Sequence, residues 1–200
     1  MHYLLLSFGI FFLIISILIL SISGLNDFDA IAVPWMSLHR STLFNQITQA
    51  LSVMGGMPFV LLFTTLWCIY LVWYKKYTNI IFICIGILGG ISLSWLLKFL
   101  YARPRPDAHL HLVESFGSSF PSAHSAYAAC IAALMLLIYQ HHPQRSIIAL
   151  CAVIWMSCMG ISRVYLGVHF PSDVISGWSI SFIWISALYL VLRKYSVAYK

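Results

Sequence analysis

The chain has 200 residues, of which 62% are hydrophobic and only 8% charged, and it carries a net charge of +6. A soluble domain carries about three times that share of charged residues. A water-soluble core is therefore excluded as the sole destination for the apolar residues, and a polytopic membrane protein is expected. In such a protein the positive balance reports on orientation; no nucleic-acid partner is expected.

Tyr3 to Ser23 forms an unbroken apolar run, long enough as a helix to cross a hydrocarbon layer of about 30 Å. Ser21, Ser23 and Gly24 resemble a small-residue cleavage site. No Lys or Arg precedes the run, however, and it exceeds the apolar stretch of about 7–15 residues of a signal peptide, so a retained first helix is expected. Residues 26–56 are mixed in polarity. Phe44, Ile47, Leu51 and Met54 recur at helical spacing, with Asn45, Gln46, Gln49 and Ser52 off that stripe. The pattern predicts one or two short amphipathic helices at the external interface, capping the bundle, with a lateral gate for a lipid as the alternative.

Five further apolar runs follow, over 58–74, 79–97, 124–140, 146–162 and 174–192. With 3–23 they predict an all-α bundle of six membrane spans, a single domain over residues 1–200 without internal repeats. The five cysteines (Cys68, Cys84, Cys130, Cys151, Cys158) lie inside apolar runs without a Cys-x-x-Cys pair and are expected to be buried free thiols.

Basic residues set the orientation. With both termini in the cytoplasm, Lys75, Lys76, Arg145, Arg193, Lys194 and Lys200 fall on the cytoplasmic side. Asp27, Asp29, Asp107, Glu114 and Asp173 then all fall outside, together with every polar motif described next.

Cations and histidines cluster where apolar runs start or stop. Lys98 ends one run and Arg103-Pro104-Arg105-Pro106 follows; Arg163 ends another. A lone cation at a helix end often merely snorkels. Three on one side, Lys98, Arg105 and Arg163, with two guanidinium forks suited to oxyanions, point to an anion site. Arg103 is set apart, because Pro104 stiffens the chain and turns the two arginines differently. Pro121-Ser122-Ala123-His124 opens a run, with Ser122 as N-cap, first-turn amides free for a phosphate, and His124 placed to give a proton to a leaving oxygen. His169 and Asp173 flank Pro171 at a helix start, so that the carboxylate holds one imidazole nitrogen and leaves the other free as a nucleophile. A structural His–Asp cap and an interfacial histidine are the plainer alternatives. His141 and His142 read as solvated loop residues. His109 and His111 lack a third ligand at metal-binding spacing, so no metal and no cofactor are expected.

The set Lys98-x6-Arg105-Pro106, Pro121-Ser122-x-His124 and Ser162-Arg163-x5-His169-x3-Asp173 resembles the three-part signature of the type 2 phosphatidic acid phosphatase family. Vanadium haloperoxidases and glucose-6-phosphatase-like enzymes share that signature. Ala123 departs from it, standing where glycine is commonest. The resemblance implies an integral membrane hydrolase of lipid phosphates or diphosphates at the external face of a bacterial inner membrane, working without a metal. It implies a phosphohistidine formed by His169, Asp173 orienting that ring, and His124 as proton donor and then water activator. Lys98, Arg105, Ser122, Arg163 and the Ala123 amide would hold the phosphate oxygens. Undecaprenyl diphosphate is the first substrate expected; phosphatidylglycerol phosphate, phosphatidic acid and lipid A phosphates are alternatives of the same reaction class. A lipid or ion transporter is the rival from another class, since intramembrane charges also mark ion pathways.

Overall fold

The computed structural model describes residues 1–197; Lys200, assigned above to the cytoplasmic side, lies outside them. Among the described residues the chain is all-helical apart from turns and loops. Its helices are α1 (His2–Ser21), α2 (Ser23–Leu38), α3 (Thr42–Met54), α4 (Met57–Trp73), α5 (Tyr77–Tyr101), α6 (Ala123–Ile138), α7 (Arg145–Tyr165) and α8 (Pro171–Val197), with a short 3-10 turn at Ala108–Leu110. By length and hydropathy α1, α5, α7 and α8 can each cross a membrane. So can the pair α3 and α4 taken together, although a 60° bend separates them; α6 is apolar but shorter. The expected run 26–56 becomes two helices, α2 and α3. Several boundaries move outward, with a consequence for the motifs. Lys98 and Arg163 stand in the last turns of α5 and α7, and Asp173 in the first turn of α8.

The core is built on α6. Ala126, Ala128, Ala129, Cys130, Ala132 and Ala133 are buried around most of its circumference, between α5, α7 and α8. Small side chains let helices approach closely where hydrophobic expulsion gives no advantage over lipid. Gly86 on α5 serves the same end: its carbonyl accepts the Trp184 indole N–H at 2.9 Å. The outward faces are apolar in the opposite sense. Phe8, Phe11, Ile14, Leu62, Leu66, Ile69, Ile85, Leu88, Leu150 and Ile154 are exposed, a surface that suits lipid and not water. The cysteines are corrected on the same ground: Cys130 is buried, whereas Cys84, Cys151 and Cys158 face outward and Cys68 is half-buried. An apolar run places a thiol in the hydrocarbon layer without deciding whether it faces protein or lipid.

The helix ends sort into two sets. His2 rests against Tyr189, and Met1, Gln140 and Arg145 share one cleft, so the start of α1, the end of α6 and the start of α7 lie together near the end of α8. The loops 102–122 and 166–170 meet at the opposite end, where Leu112 N–H donates to the Leu166 carbonyl. Gly167 is fixed by that meeting. Its φ is +79°, and a Cβ there would stand 2.1 Å from the Leu110 carbonyl oxygen. A Gly167→Ala chain is expected to lose at least about 2 kcal/mol from backbone strain alone, read as a lowered Tm in detergent. An unchanged Tm would mean that the loop crossing is not rigid.

Candidate active site

Three helices and the two loops that follow α5 and α7 carry the motifs to one place. A cavity of about 270 Å³ is lined by Lys98 of α5, Arg105 of the following loop, Ala123 and His124 of α6, Arg163 of α7 and His169 of the α7–α8 loop. Glu114 is the one carboxylate on its wall. Asp173 and Ser122 are fully buried behind it. Ser122 is the N-cap of α6 and accepts from Ser125 N–H and Ser125 Oγ–H, which uses its lone pairs and leaves its own O–H to donate. The amides of Ala123 and His124 belong to the first turn and have no hydrogen-bond partner among the described residues; Ala123 and His124 are the members of that turn on the cavity wall.

The hydrogen bonds fix which nitrogen of His169 is free. A guanidinium can only donate. Arg105 Nη1 lies 3.3 Å from His169 Nε2, so that nitrogen carries the lone pair. Nδ1 then carries the proton and faces the carboxylate side, 3.5 Å from Asp173 Oδ2 and 3.4 Å from Ser119 Oγ. Ser119 Oγ also donates to Asp173 Oδ2, and Phe170 N–H does so at 3.0 Å. Burial pushes the imidazole down to about 3; Arg105 and Arg163 push the same way, and Asp173 opposes them. His169 is therefore a neutral imidazole at physiological pH. Between the ordinary histidine value of about 6.5 and about 3, the unfolded chain binds a proton that the folded one refuses, so acidification through that window costs stability. A ¹⁵N-histidine titration in micelles is expected to show His169 unprotonated from about pH 8 to about pH 5. A midpoint near the ordinary value would refute the buried, lone-pair-bearing assignment.

The cations are held by main-chain oxygens. Lys98 Nζ donates to the Ser118 carbonyl at 2.6 Å. Arg105 grips Phe116, Gly117 and Val168 carbonyls at 2.7–2.9 Å, stapling its own loop to that of His169. Arg163 is 2% exposed and donates to Ser52 Oγ at 2.6 Å, while its Nε has no partner among the described residues. A buried donor left unpaired is costly, so Arg163 is poised for an acceptor. His124 Nε2 donates to the Ser52 carbonyl at 3.1 Å, which in the neutral ring leaves the lone pair on Nδ1.

Lys98, Arg105, Ala123, His124, Arg163 and His169 thus line one cavity, and Asp173 reaches it through the His169 ring. Sequence reasoning missed Ser52, Asp29, Ser119 and Ser172, and it set Arg103 aside. Arg103 does part from Arg105: it donates to Asp29 Oδ2 at 2.8 Å and to Asp173 Oδ1 at 2.7 Å. Asp29 had one visible signal, a carboxylate set between Phe28 and Ala30-Ile31 in an apolar stretch. Ser52 had none, because it lies on the polar side of an ordinary amphipathic stripe. Among the described residues, no group of three or more His, Cys, Asp or Glu is placed to hold a metal ion.

A family model described as the PAP2 superfamily matches residues 78–196, which hold all three motif segments. The chain belongs to the PAP2 superfamily. This PAP2 protein is 30% identical over 148 residues to phosphatidylglycerophosphatase B of Bacillus subtilis (strain 168), covering 72% of each chain. It is 23% identical over 149 residues to undecaprenyl-diphosphatase BcrC of the same organism, covering 72% of this chain and 73% of that one. A crystal structure of a transmembrane PAP2-type phosphatidylglycerolphosphate phosphatase from Bacillus subtilis superposes with a TM-score of 0.83 at 26% identity, over 98% of this chain and 97% of the other. The PAP2 protein is an integral membrane enzyme, a phosphatase of lipid phosphate esters.

Proposed function

We propose that this PAP2 phosphatase cleaves a phosphomonoester from a glycerolipid headgroup, phosphatidylglycerol phosphate being the best-supported substrate, by way of a phosphohistidine on His169. The observation that carries the reading is the unprotonated Nε2 of His169, on a cavity wall it shares with Lys98, Arg105 and Arg163 and held only by a 3.3 Å contact to Arg105 Nη1, with Arg163 Nε unpaired among the described residues. A phosphate centred there meets three cations and the open amides of Ala123 and His124. Nε2 attacks phosphorus and the ester P–O bond breaks. His124 Nδ1, which carries the lone pair while Ser52 holds Nε2–H, takes the proton of the phosphomonoester monoanion and passes it to the departing lipid oxygen. Water then attacks the phosphohistidine, giving its proton to His124 and releasing inorganic phosphate and the Nε2 lone pair. Cations and amides carry the transferred charge, which is the main demand of phosphoryl transfer.

The lipid class is supported by a second cavity. It has about 340 Å³, is apolar, and is lined by Met54, Phe59, Phe63, Met135 and Trp155. The Gly55–Gly56 break between α3 and α4 divides it from the phosphate cavity, with Met54 lining one and Met57 the other. Glu114 favours a monoester with a hydroxylated leaving group, since a carboxylate accepts from glycerol hydroxyls and repels a second phosphate. Undecaprenyl diphosphate is the second reading, supported by the likeness to a named undecaprenyl-diphosphatase. The proposed topology counts α1, α4, α5, α6, α7 and α8 as six spans, with α2 and α3 external. The termini lie in the cytoplasm of a bacterial inner-membrane protein and the site faces outward, because Arg145 shares a cleft with Met1 and Lys76 one with His141 and His142, at the end opposite the cavity.

Phosphate release from purified protein, measured over phosphatidylglycerol phosphate, phosphatidic acid, lipid A phosphate and undecaprenyl diphosphate, tests the proposal. The expected order puts phosphatidylglycerol phosphate first in kcat/KM. A diphosphate preference would reject the monoester reading, and release from none would reject the enzyme mechanism.

A further inference from the structure

Asp29 is a fully buried carboxylate on α2, outside the three motifs and outside the cavity. Both of its oxygens are used. Oδ1 accepts the main-chain N–H of Ser172 at 2.8 Å; Oδ2 accepts Ser172 Oγ–H and Arg103 Nη2. Ser172 is the second residue of α8, so its amide is one of the open donors of that helix start. Asp29 therefore acts as a cap supplied from another helix, and the residue next along the chain is Asp173. Arg103 completes the link. It lies over the Phe170 ring, its Cζ 4.2 Å from the centroid, and reaches Asp29 through Nη2 and Asp173 Oδ1 through Nη1. Asp173 keeps Oδ2 for Ser119, the Phe170 amide and the His169 ring.

We propose that Asp29 is a positioning residue for the attacking imidazole, acting through Arg103 and Ser172 on Asp173. This rests on His169 being the nucleophile. The physical reason is a division of charge. One guanidinium is shared between two buried carboxylates, so the group of three carries one net negative charge, and Asp173 retains enough of it to hold Nδ1–H as His169 becomes positive on phosphorylation. Take away the Asp29 charge and Arg103 is paired with Asp173 alone. The carboxylate is then neutralised where His169 needs it, and the first turn of α8 loses its outside cap. The substrate-facing cations are untouched, so the loss falls on the chemical step and not on binding.

The test is a set of variants assayed for kcat, KM and phosphoenzyme formation. Asp29→Asn is expected to lower kcat by roughly 10- to 100-fold, the usual effect of removing a group that orients a reacting one, with KM within about threefold of the parent. In the Asp29→Asn/Arg103→Gln double variant both charges are gone and Asp173 again acts alone on His169. It is expected to turn over faster than Asp29→Asn, a reversal that a merely structural role for Asp29 does not give. An Asp29→Asn enzyme with unchanged kcat, one with the loss in KM, or a double variant no faster than the single one overturns the proposal. Should Asp29→Asn not fold, Asp29→Glu moves the carboxylate by one methylene. It is expected to reduce kcat at constant KM, and an unchanged kcat or a matching rise in KM overturns the proposal. His169→Ala is assayed alongside. If it still turns over, the nucleophile assignment has failed. If it is dead while Asp29→Asn behaves as the parent, only the role of Asp29 has failed.

Discussion

His169→Ala is expected to abolish phosphate release, a loss of at least about 10⁴-fold in kcat. That corresponds to about 5.5 kcal/mol of transition-state stabilisation. His124 is the other imidazole on the cavity wall, and its Nε2 is tied to the Ser52 carbonyl; Glu114, a carboxylate, is repelled by a phosphate dianion. The variant is expected to fold, because Asp173 keeps Arg103, Ser119 and the Phe170 amide as partners when the ring is removed. It should still bind vanadate, which needs the cations and not the imidazole, though more weakly. Acid-labile, base-stable phosphoprotein should form in the parent enzyme during turnover and be missing in the variant. Release that persists in His169→Ala would show that water attacks phosphorus directly and would remove the covalent mechanism.

His124→Ala is expected to slow hydrolysis of an alkyl lipid phosphate by on the order of 10²-fold or more, as for a lost general acid. The size of the loss should depend on the leaving group. A lipid alkoxide is a strong base and cannot depart without a proton, whereas an aryl phosphate releases a stabilised phenolate unaided. The phosphorylation step measured with an aryl phosphate should therefore be spared in large part. Equal losses on both substrates would show that His124 contributes shape or charge and not a proton. The same variant frees the Ser52 carbonyl, so part of any fall in Tm is to be read as the cost of an unpaired acceptor, about 1–3 kcal/mol.

The chemistry was largely legible in the chain because cations and histidines are costly near hydrocarbon and survive there only with a use. Lys98, Arg105, His124, Arg163 and His169 stand out against their apolar neighbours, and all of them line one cavity. Spacing located the motifs but not their neighbours. Ser122, expected on the phosphate, also caps α6 by accepting from Ser125, which leaves its own O–H to donate. Ala123, where glycine is commonest, keeps its open amide and its place on the cavity wall. The stretch 26–56 read as a cap or a gate. It forms α2 and α3, which bring Asp29 and Ser52 to the back and the rim of the site.

Composition alone determined that the chain lives in a membrane, because so few charges cannot solvate so large an apolar surface. The order of cations and histidines along it determined that an anion is handled at one end of the bundle. Only the tertiary structure decided which nitrogen of His169 carries the lone pair, that Arg103 belongs to two carboxylates and Arg105 to the cavity wall, and that α2 reaches Arg103 at all. Those choices depend on contacts between helices distant in sequence, where a hydrogen bond a few ångströms long selects a tautomer or divides a charge. No local pattern of residues encodes such a distance.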